Sequence, residues 1–480
     1  MRHIHETTAP GTAPRRPSRR AVLKAVGAAA LVTAPALAAA PAHADAARTG
    51  QEATYDTIVI GAGYAGITAA RELGAQGGRV LVLEARDRIG GRTYADSFAG
   101  HQVELGGTWV EATQPHIGAE LERYGIGLEE EDPVDRVLLP TPDGPREFTP
   151  DDAFGRIGAV LDKLFDGSRD YFERPFEPLY REDLLQSLDR LSLRDRLDGL
   201  GLTAEEELLV NGQTSVYSGG SSSSGAFTML AHWWSLAGWN NEGWNNTQRW
   251  RMAPGTSGLL TAMLAEAEPE LRLSSPVVSV TDTGSQVHVT LSSGESFSAA
   301  KAIVAVPVGL WPTITFSPAL PAAHTTAASQ GIAVPTASKL YIHARSGEGR
   351  FYGQGAEGDA PIPMLMPFKE TPQGLVYAAF STDPDLDPTD RAQVTDAVRR
   401  LGAELDVIEV RAHDWGKDPY ARGGWAFRKP RQLTSLYPDA LAPSGRVAFA
   451  SGDLANGWSG FLDGAVESGL RAARQTLGLE

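Results

Sequence analysis

An α/β architecture is predicted for this chain of 480 residues, with a dinucleotide-binding sheet assembled from separated segments and a second, mixed α+β domain folded from the stretches between them. Three stretches carry that expectation. The first is Gly61-Ala62-Gly63-Tyr64-Ala65-Gly66, paired with Glu84 further on. The second is Arg88-Ile89-Gly90-Gly91-Arg92-Thr93. The third, close to the C-terminus, is Gly452-Asp453 followed by Trp458-Ser459-Gly460-Phe461-Leu462-Asp463-Gly464-Ala465. Although far apart in sequence, all three fit one elongated nucleotide ligand.

The first stretch follows an apolar strand at residues 57–60 and opens a helix in which Ile67, Ala70 and Leu73 recur at helical spacing. Gly61 allows the turn, Gly63 lets the backbone approach a pyrophosphate, and Gly66 lets helix and strand pack closely while the helix N-terminus faces phosphate charge. The next apolar run, residues 80–83, ends at Glu84, whose carboxylate is placed to accept hydrogen bonds from an adenosine ribose. Such a charge-assisted bond is worth roughly 1.5–3 kcal/mol, enough to help select a ribose without carrying the affinity alone. Many tight turns and NAD sites share a lone glycine motif. The second stretch narrows the choice, because two adjacent glycines between Arg88 and Arg92 offer backbone amides beside two cations. That loop suits a diphosphate and favours FAD over NAD.

Later elements return to the same sheet. Strands are expected at residues 277–280 and 286–291, then a turn at Ser292-Ser293-Gly294 and a buried strand at 302–306 that ends at Pro307. Another strand is expected at 447–450, and a helix beginning near Asp463. The FAD-binding, Rossmann-like domain is therefore built from residues 54–115, 250–309 and 426–480. Residues 116–249, with a helical pattern at Phe154, Ile157, Leu161 and Leu164, and the mixed stretch 310–425 form the substrate domain, packed as one helix-covered sheet. The active site is expected at the boundary, where ligand pockets commonly form. No internal repeat is evident, and the longest low-complexity tract is Gly219-Gly220-Ser221-Ser222-Ser223-Ser224-Gly225.

The opening residues have a different character. Ser18-Arg19-Arg20-Ala21-Val22-Leu23-Lys24 precedes an Ala-rich stretch that closes on Ala42-His43-Ala44, the pattern of a twin-arginine export signal spanning residues 1–44. The run at 25–40 is Ala-heavy, broken by Pro35, and shorter than the roughly 20 strongly apolar residues a membrane span needs. Secretion or delivery to the periplasm follows, and because this route carries folded proteins, the flavin would be loaded beforehand. Removing residues 1–44, with six basic residues and one acidic residue, takes the formal net charge from −16 to −21. A surface so acidic argues against nucleic acid or anionic membrane as partner and mildly favours cationic substrates. With no cysteine in the chain, disulfides, thiolate metal sites and a cysteinyl-flavin bond are excluded. No metal site is predicted.

These motifs resemble those of the flavin monoamine oxidase family across nearly all of the chain after the export segment. The branch most similar in appearance is bacterial nicotine oxidoreductase, through Gly106-Gly107-Thr108-Trp109-Val110 with Gln114-Pro115-His116, through Phe172-Glu173-Arg174-Pro175-Phe176-Glu177-Pro178-Leu179-Tyr180, and through Asn456-Gly457-Trp458 with residues 463–470. The resemblance implies that Glu84 and Arg92 hold adenosine and diphosphate, that Val277 lies by the adenine, and that Asp453 sits near the ribityl-diphosphate. Ala65, Ala85, Arg86, Gly107 and Thr108 are assigned to the cofactor with them. The helix after Asp463 would aim its positive end at the flavin's pyrimidine edge, with Gly464 and Ala465 small enough to allow the approach.

For catalysis, the resemblance places Lys339, within Pro335-Thr336-Ala337-Ser338-Lys339-Leu340-Tyr341-Ile342, where the family has a lysine that holds a water against flavin N5. Burial should lower its pKa and suit it to proton relay. The family also sandwiches the amine between two aromatic rings, matched here by Trp425 in Gly423-Gly424-Trp425-Ala426 and by Phe461. Trp425 and Ala426 stand where covalent monoamine oxidases carry cysteine and tyrosine, so FAD is expected to be non-covalent. Phe461 stands where the nicotine branch has an amide, which argues against nicotine itself.

The expected reaction is hydride transfer from the carbon beside a neutral amine nitrogen to flavin N5, giving an imine that water hydrolyses. The substrate would be a small amine, cyclic or aromatic in one version of the reading, with oxygen or a redox protein as electron acceptor. A homodimer is compatible with this reading. Two alternatives stand beside it. One is an L-amino-acid oxidase, which needs an arginine such as Arg251, Arg422 or Arg428 for the substrate carboxylate. The other is a flavoprotein that only binds or carries electrons.

Overall fold

The computed structural model describes residues 54–111, 113–345 and 347–479. The export segment read at residues 1–44 lies outside the described residues.

The strand Thr54–Ile60 lies inside the first sheet because its neighbours bury it on both edges. It pairs in parallel with Val80–Leu83, Thr57 opposite Val80, and with Ser296–Val304, Ile60 opposite Val304. Val80–Leu83 is buried at every position, as expected of a parallel strand covered on both faces. The full order is Thr315–Ser317, Val277–Asp282, Val287–Leu291, Ser296–Val304, Thr54–Ile60, Val80–Leu83 and Glu270–Arg272, with Val447–Phe449 pairing alongside Ser296–Val304. Discontinuous segments thus build this sheet, as the predicted fold class requires.

The boundaries differ in instructive places. The strand expected at 302–306 begins at Ser296 and ends at Val304. Its first half, Ser296-Phe297-Ser298-Ala299-Ala300, pairs antiparallel with Val287–Leu291 and lacks the apolar run that marks a buried strand. Ala305 still donates its N–H to the Ile60 carbonyl, but Pro307 then stops the ladder and the chain turns into a 3-10 helix, Val308–Thr313. Thr315–Ser317, which pairs in parallel with Val277–Asp282, carries no sequence signal long enough to announce a strand.

Ile60 leads through Gly61 into the helix Tyr64–Ala75. Gly61 has φ of +109°, and a Cβ there would come within 2.7 Å of the Ala305 carbonyl oxygen. A Cβ on Gly66 would lie 2.0 Å from the Gly61 carbonyl oxygen, so helix and strand touch through backbone. The helices Gly255–Ala267 and Leu462–Leu477 pack against Tyr64–Ala75. Arg71, buried inside this layer, is held by Glu120 and Glu72.

A second sheet runs Val407–Asp414, Ser338–Arg345, Gly374–Ser381, Met364–Thr371, Phe351–Gln354, Arg136–Thr141 and Gly144–Phe148. Its strands come from residues 136–148 and 338–414, and helices accompany it. Among these, Pro150–Leu164 starts at Thr149, whose side chain accepts the Asp152 N–H, and Ala204–Tyr217 starts at a capping box between Thr203 and Glu206. The helix Phe227–Leu236 is buried on nearly every side, with Thr228, His232 and Ser235 the polar residues in an otherwise apolar sequence. Register in this sheet decides what meets Lys339: it lies opposite Phe380 on one side and His413 on the other, and Met364 lies opposite Phe380.

Candidate active site

A cavity of about 560 Å³ is lined by residues from all three sequence stretches and from the second sheet. Contacts along its wall give its order. At one end Glu84, 4 % exposed, accepts the Ala62 N–H at 2.8 Å and the Arg86 N–H at 2.9 Å. Its backbone carbonyl accepts from Ser275, which brings Val277 to the same end. Ala62 in turn takes the Gly90 N–H on its carbonyl, and a Cβ on Gly63 would lie 3.8 Å from the Gly90 carbonyl oxygen and from Gly91 Cα.

Gly90 and Gly91 have φ of +111° and +58°, a conformation that glycine permits at no steric cost. The two arginines flanking them behave differently. Arg88 turns back onto its own loop, donating to the carbonyls of Ile89, Thr93 and Gly91, and stacks on Tyr94. It is absent from the cavity lining, so only one of the two expected cations reaches the site. Arg92 does line the cavity. It donates to the Gly424 carbonyl at 2.9 Å and pairs with Asp453 at 2.7 Å, tying three distant segments together. Asp453 is fully buried and also accepts the Val308 N–H at 3.0 Å.

At the other end stands Lys339, 3 % exposed. Its Nζ donates to the Gly106 carbonyl at 3.0 Å and to Thr108 Oγ1. The Trp109 ring face lies 4.7 Å from it, with Phe380 and Tyr341 at 5.5 and 5.6 Å. Burial pushes its pKa down to about 7, against the opposing pull of Glu104 and Glu131. Trp425 donates its indole N–H to the Tyr217 carbonyl at 2.9 Å and meets Phe380 edge to face. Phe461 is fixed by Trp233 and Trp458, at centroid distances of 5.1 and 4.9 Å.

Phe461 is also the N-cap of the helix Leu462–Leu477, and its side chain makes no cap bond. Phe461, Leu462 and Ala465 line the cavity, so the positive end of that helix is presented to it. Asp463 does not cancel that field locally, since its carboxylate turns to the N-terminus of Pro115–Tyr124 and accepts the His116 and Ile117 N–H groups at 2.7 and 2.8 Å. The two sequence motifs around Gln114 and Asp463 dock on each other in this way. Gly464 explains itself by packing, because a Cβ there would lie 2.3 Å from the Trp458 carbonyl oxygen.

Of the predicted site residues, Gly61, Gly63, Ala65, Glu84, Ala85, Arg86, Gly91, Arg92, Gly107, Thr108, Val277, Lys339, Trp425, Phe461 and Ala465 line the cavity, whereas Gly66, Asp453 and Gly464 stand behind its wall. Sequence reasoning missed Phe380 and Met364, which reach the cavity only through their register with Lys339. Trp109, Trp233 and Trp244 line the cavity as well. Of the three arginines considered for a substrate carboxylate, Arg251 is tied to Glu129 at 3.1 Å and Arg428 is buried against His232, both away from the lining. Arg422 lines the cavity on the same loop as Tyr420, whose ring lies under Arg86.

The lining fits a flavin dinucleotide: the Glu84 carboxylate, close-packed glycines, the Arg92 cation and a helix N-terminus all face a single cavity. Comparison with known proteins agrees. The family described as flavin containing amine oxidoreductase matches residues 64–477. Nicotine dehydrogenase of Pseudomonas putida (strain DSM 28022 / S16) is 34% identical over 465 residues, covering 94% of this chain and 95% of its own. (S)-6-hydroxynicotine oxidase of Paenarthrobacter nicotinovorans is 31% identical over 431 residues, covering 86% and 97%. A putrescine oxidase structure superposes with a TM-score of 0.76 at 22% identity, over 89% of this chain and 99% of that one, a likeness of fold.

The chain belongs to the flavin-containing amine oxidoreductase family. It is an FAD-dependent enzyme acting on amines.

Proposed function

We propose that this protein is exported by the twin-arginine route and oxidises a small, uncharged cyclic or aromatic amine to an imine, which water then hydrolyses. One observation carries the chemistry: a buried Lys339 stands among aromatic rings at the end of the cavity where Trp425 and Phe461 also lie. Bound FAD supplies the two-electron acceptor for a hydride leaving the carbon beside nitrogen.

The chain's own residues do the rest. Trp425 and Phe461 offer apolar ring surface that orients the amine and disfavours its ammonium form. Lys339, with its pKa near neutrality, can hold or release a proton at Nζ, and a water held there is placed for proton transfer. The names of the two relatives point to cyclic amines. Phe461 supports a substrate other than nicotine, because it offers no amide. An amino-acid substrate is disfavoured because Arg251 and Arg428 lie away from the cavity lining and Arg422 shares a loop with Tyr420 beside Arg86, at the Glu84 side.

The test uses exported protein, expected to begin at Asp45, with FAD bound. Mixed anaerobically with primary, secondary and tertiary amines, it should bleach with a subset of them, and the rate should rise through an alkaline pKa as the neutral amine accumulates. An oxidised spectrum unchanged by the whole panel, or bleaching by amino acids in preference to their matching amines, would remove the proposal.

A further inference from the structure

Trp109 sits between a cation and an anion. Its ring face lies 4.7 Å from Lys339 Nζ, and its indole N–H donates to Glu131 at 3.0 Å. The backbone that carries the ring is pinned, since Trp109 bridges to Arg251 and Val110 donates its N–H to the Trp250 carbonyl, and Glu131 holds the ring itself by the indole N–H. A carboxylate accepting the indole N–H polarises the ring toward a more negative face, which strengthens attraction for a cation stacked on it.

We propose that Glu131 is a positioning residue for amine oxidation: it fixes the Trp109 ring by the N–H and sets a negative charge behind the ring that Lys339 faces. The proposal rests on the reading of Lys339 as the proton-handling group at the reacting end. Glu131 is absent from the cavity lining, so it acts only through Trp109 and through its field.

The surroundings leave few other groups to do this. Lys339 donates to a carbonyl and a hydroxyl, and no carboxylate lies within ion-pair distance of it among the described residues. Glu104 and Glu131 are the two carboxylates whose charge reaches it. Glu104 is occupied by Thr256, which donates its N–H and hydroxyl at 2.8 Å each. Tyr341, on Lys339's own strand, stays protonated through burial. His413, on the neighbouring strand, is engaged with Asp418 at 3.0 Å. Burial raises the pKa of the Glu131 carboxyl, and Arg251, 4.0 Å away, the Trp109 N–H, Lys339 and Lys369 pull it back down. Together these groups let Lys339 gain or lose a proton near neutral pH without deep desolvation forcing it permanently neutral.

The experiment follows the visible absorption of bound FAD in oxidised holoenzyme from pH 5 to 10, without substrate, in wild type, Lys339→Met, Glu131→Gln and Glu131→Ala. The wild-type titration step should vanish in Lys339→Met, which assigns it. Glu131→Gln keeps an oxygen for the indole N–H but removes the charge, so the step should move to lower pH by roughly one unit. Glu131→Ala should move it at least as far and also broaden the amine dependence, raising KM more than it lowers kcat as the ring loosens. If the step survives in Lys339→Met, the lysine reading fails and the proposal with it. If it vanishes there but stays at the wild-type pH in Glu131→Gln, Lys339 stands and the role of Glu131 is overturned.

Discussion

Replacing Lys339 with methionine should lower the rate of amine oxidation by about 10²-fold or more, the range expected when a positioned proton-transfer group is lost. Met matches the length and volume of the lysine stem without its charge. The substitution leaves the Gly106 carbonyl and Thr108 hydroxyl in place and removes a cation that burial already holds near neutrality, so the protein should keep its fold and its FAD. The pH dependence supplies the sharper reading. With a pKa of about 7, Lys339 changes from mostly charged to mostly neutral between pH 6 and 8, so any step that uses one form must change across that interval. In Lys339→Met that change should be absent while an alkaline rise due to the free amine persists. A variant with wild-type turnover and wild-type pH dependence would remove Lys339 from the proton-transfer step. Steady-state rates at saturating amine, with flavin content measured in parallel, decide between these outcomes.

The second large effect is expected at the Arg92–Asp453 pair beside the cavity. Arg92→Leu strips Asp453 of its counter-charge while leaving the carboxylate fully buried. Breaking a buried pair from one side costs about 3–5 kcal/mol, because the remaining charge has neither water nor partner. Among the described residues the Asp453 carboxylate then keeps the Val308 N–H, which offsets part of that cost. The protein should therefore melt at a markedly lower temperature and lose FAD during gel filtration. Arg92→Lys restores a charge but not the fork that reaches Gly424 and Asp453 together, so it should recover part of both properties. Calorimetry and the flavin-to-protein absorbance ratio read the two losses. An Arg92→Leu protein with unchanged melting and full flavin would mean that the pair matters to neither folding nor cofactor.

The cofactor half was legible because its constraints are local. A strand, a glycine turn and a helix N-terminus follow one another within a few residues, and Gly61 and Gly66 are required by backbone contacts that any side chain would break. The next motif was read partly wrong for a reason sequence cannot supply: nothing in the residue types distinguishes Arg88, folded back on its loop carbonyls, from Arg92, aimed across the cavity at Asp453. The substrate end was legible only at Lys339, Trp425 and Phe461, where motifs gave a position. Phe380 and Met364 come to the same wall through antiparallel register, and register depends on which strands pair, a property of the whole sheet. Glu131 shows the same limit from another side. It looks like one more acid in the run Glu129-Glu130-Glu131 until the structure brings Trp109 to it.

The account's central claim is that FAD lies lengthwise through one cavity, adenosine at Glu84 and isoalloxazine at Lys339. A crystal structure of the yellow holoenzyme tests it most directly. The predicted result is difference density with the ribose hydroxyls on Glu84, the diphosphate beside Arg92 and the helix Tyr64–Ala75, and the three-ring system between Lys339 Nζ and the rings of Trp425 and Phe461. Density that places the three rings at Glu84, or outside this cavity, would contradict it.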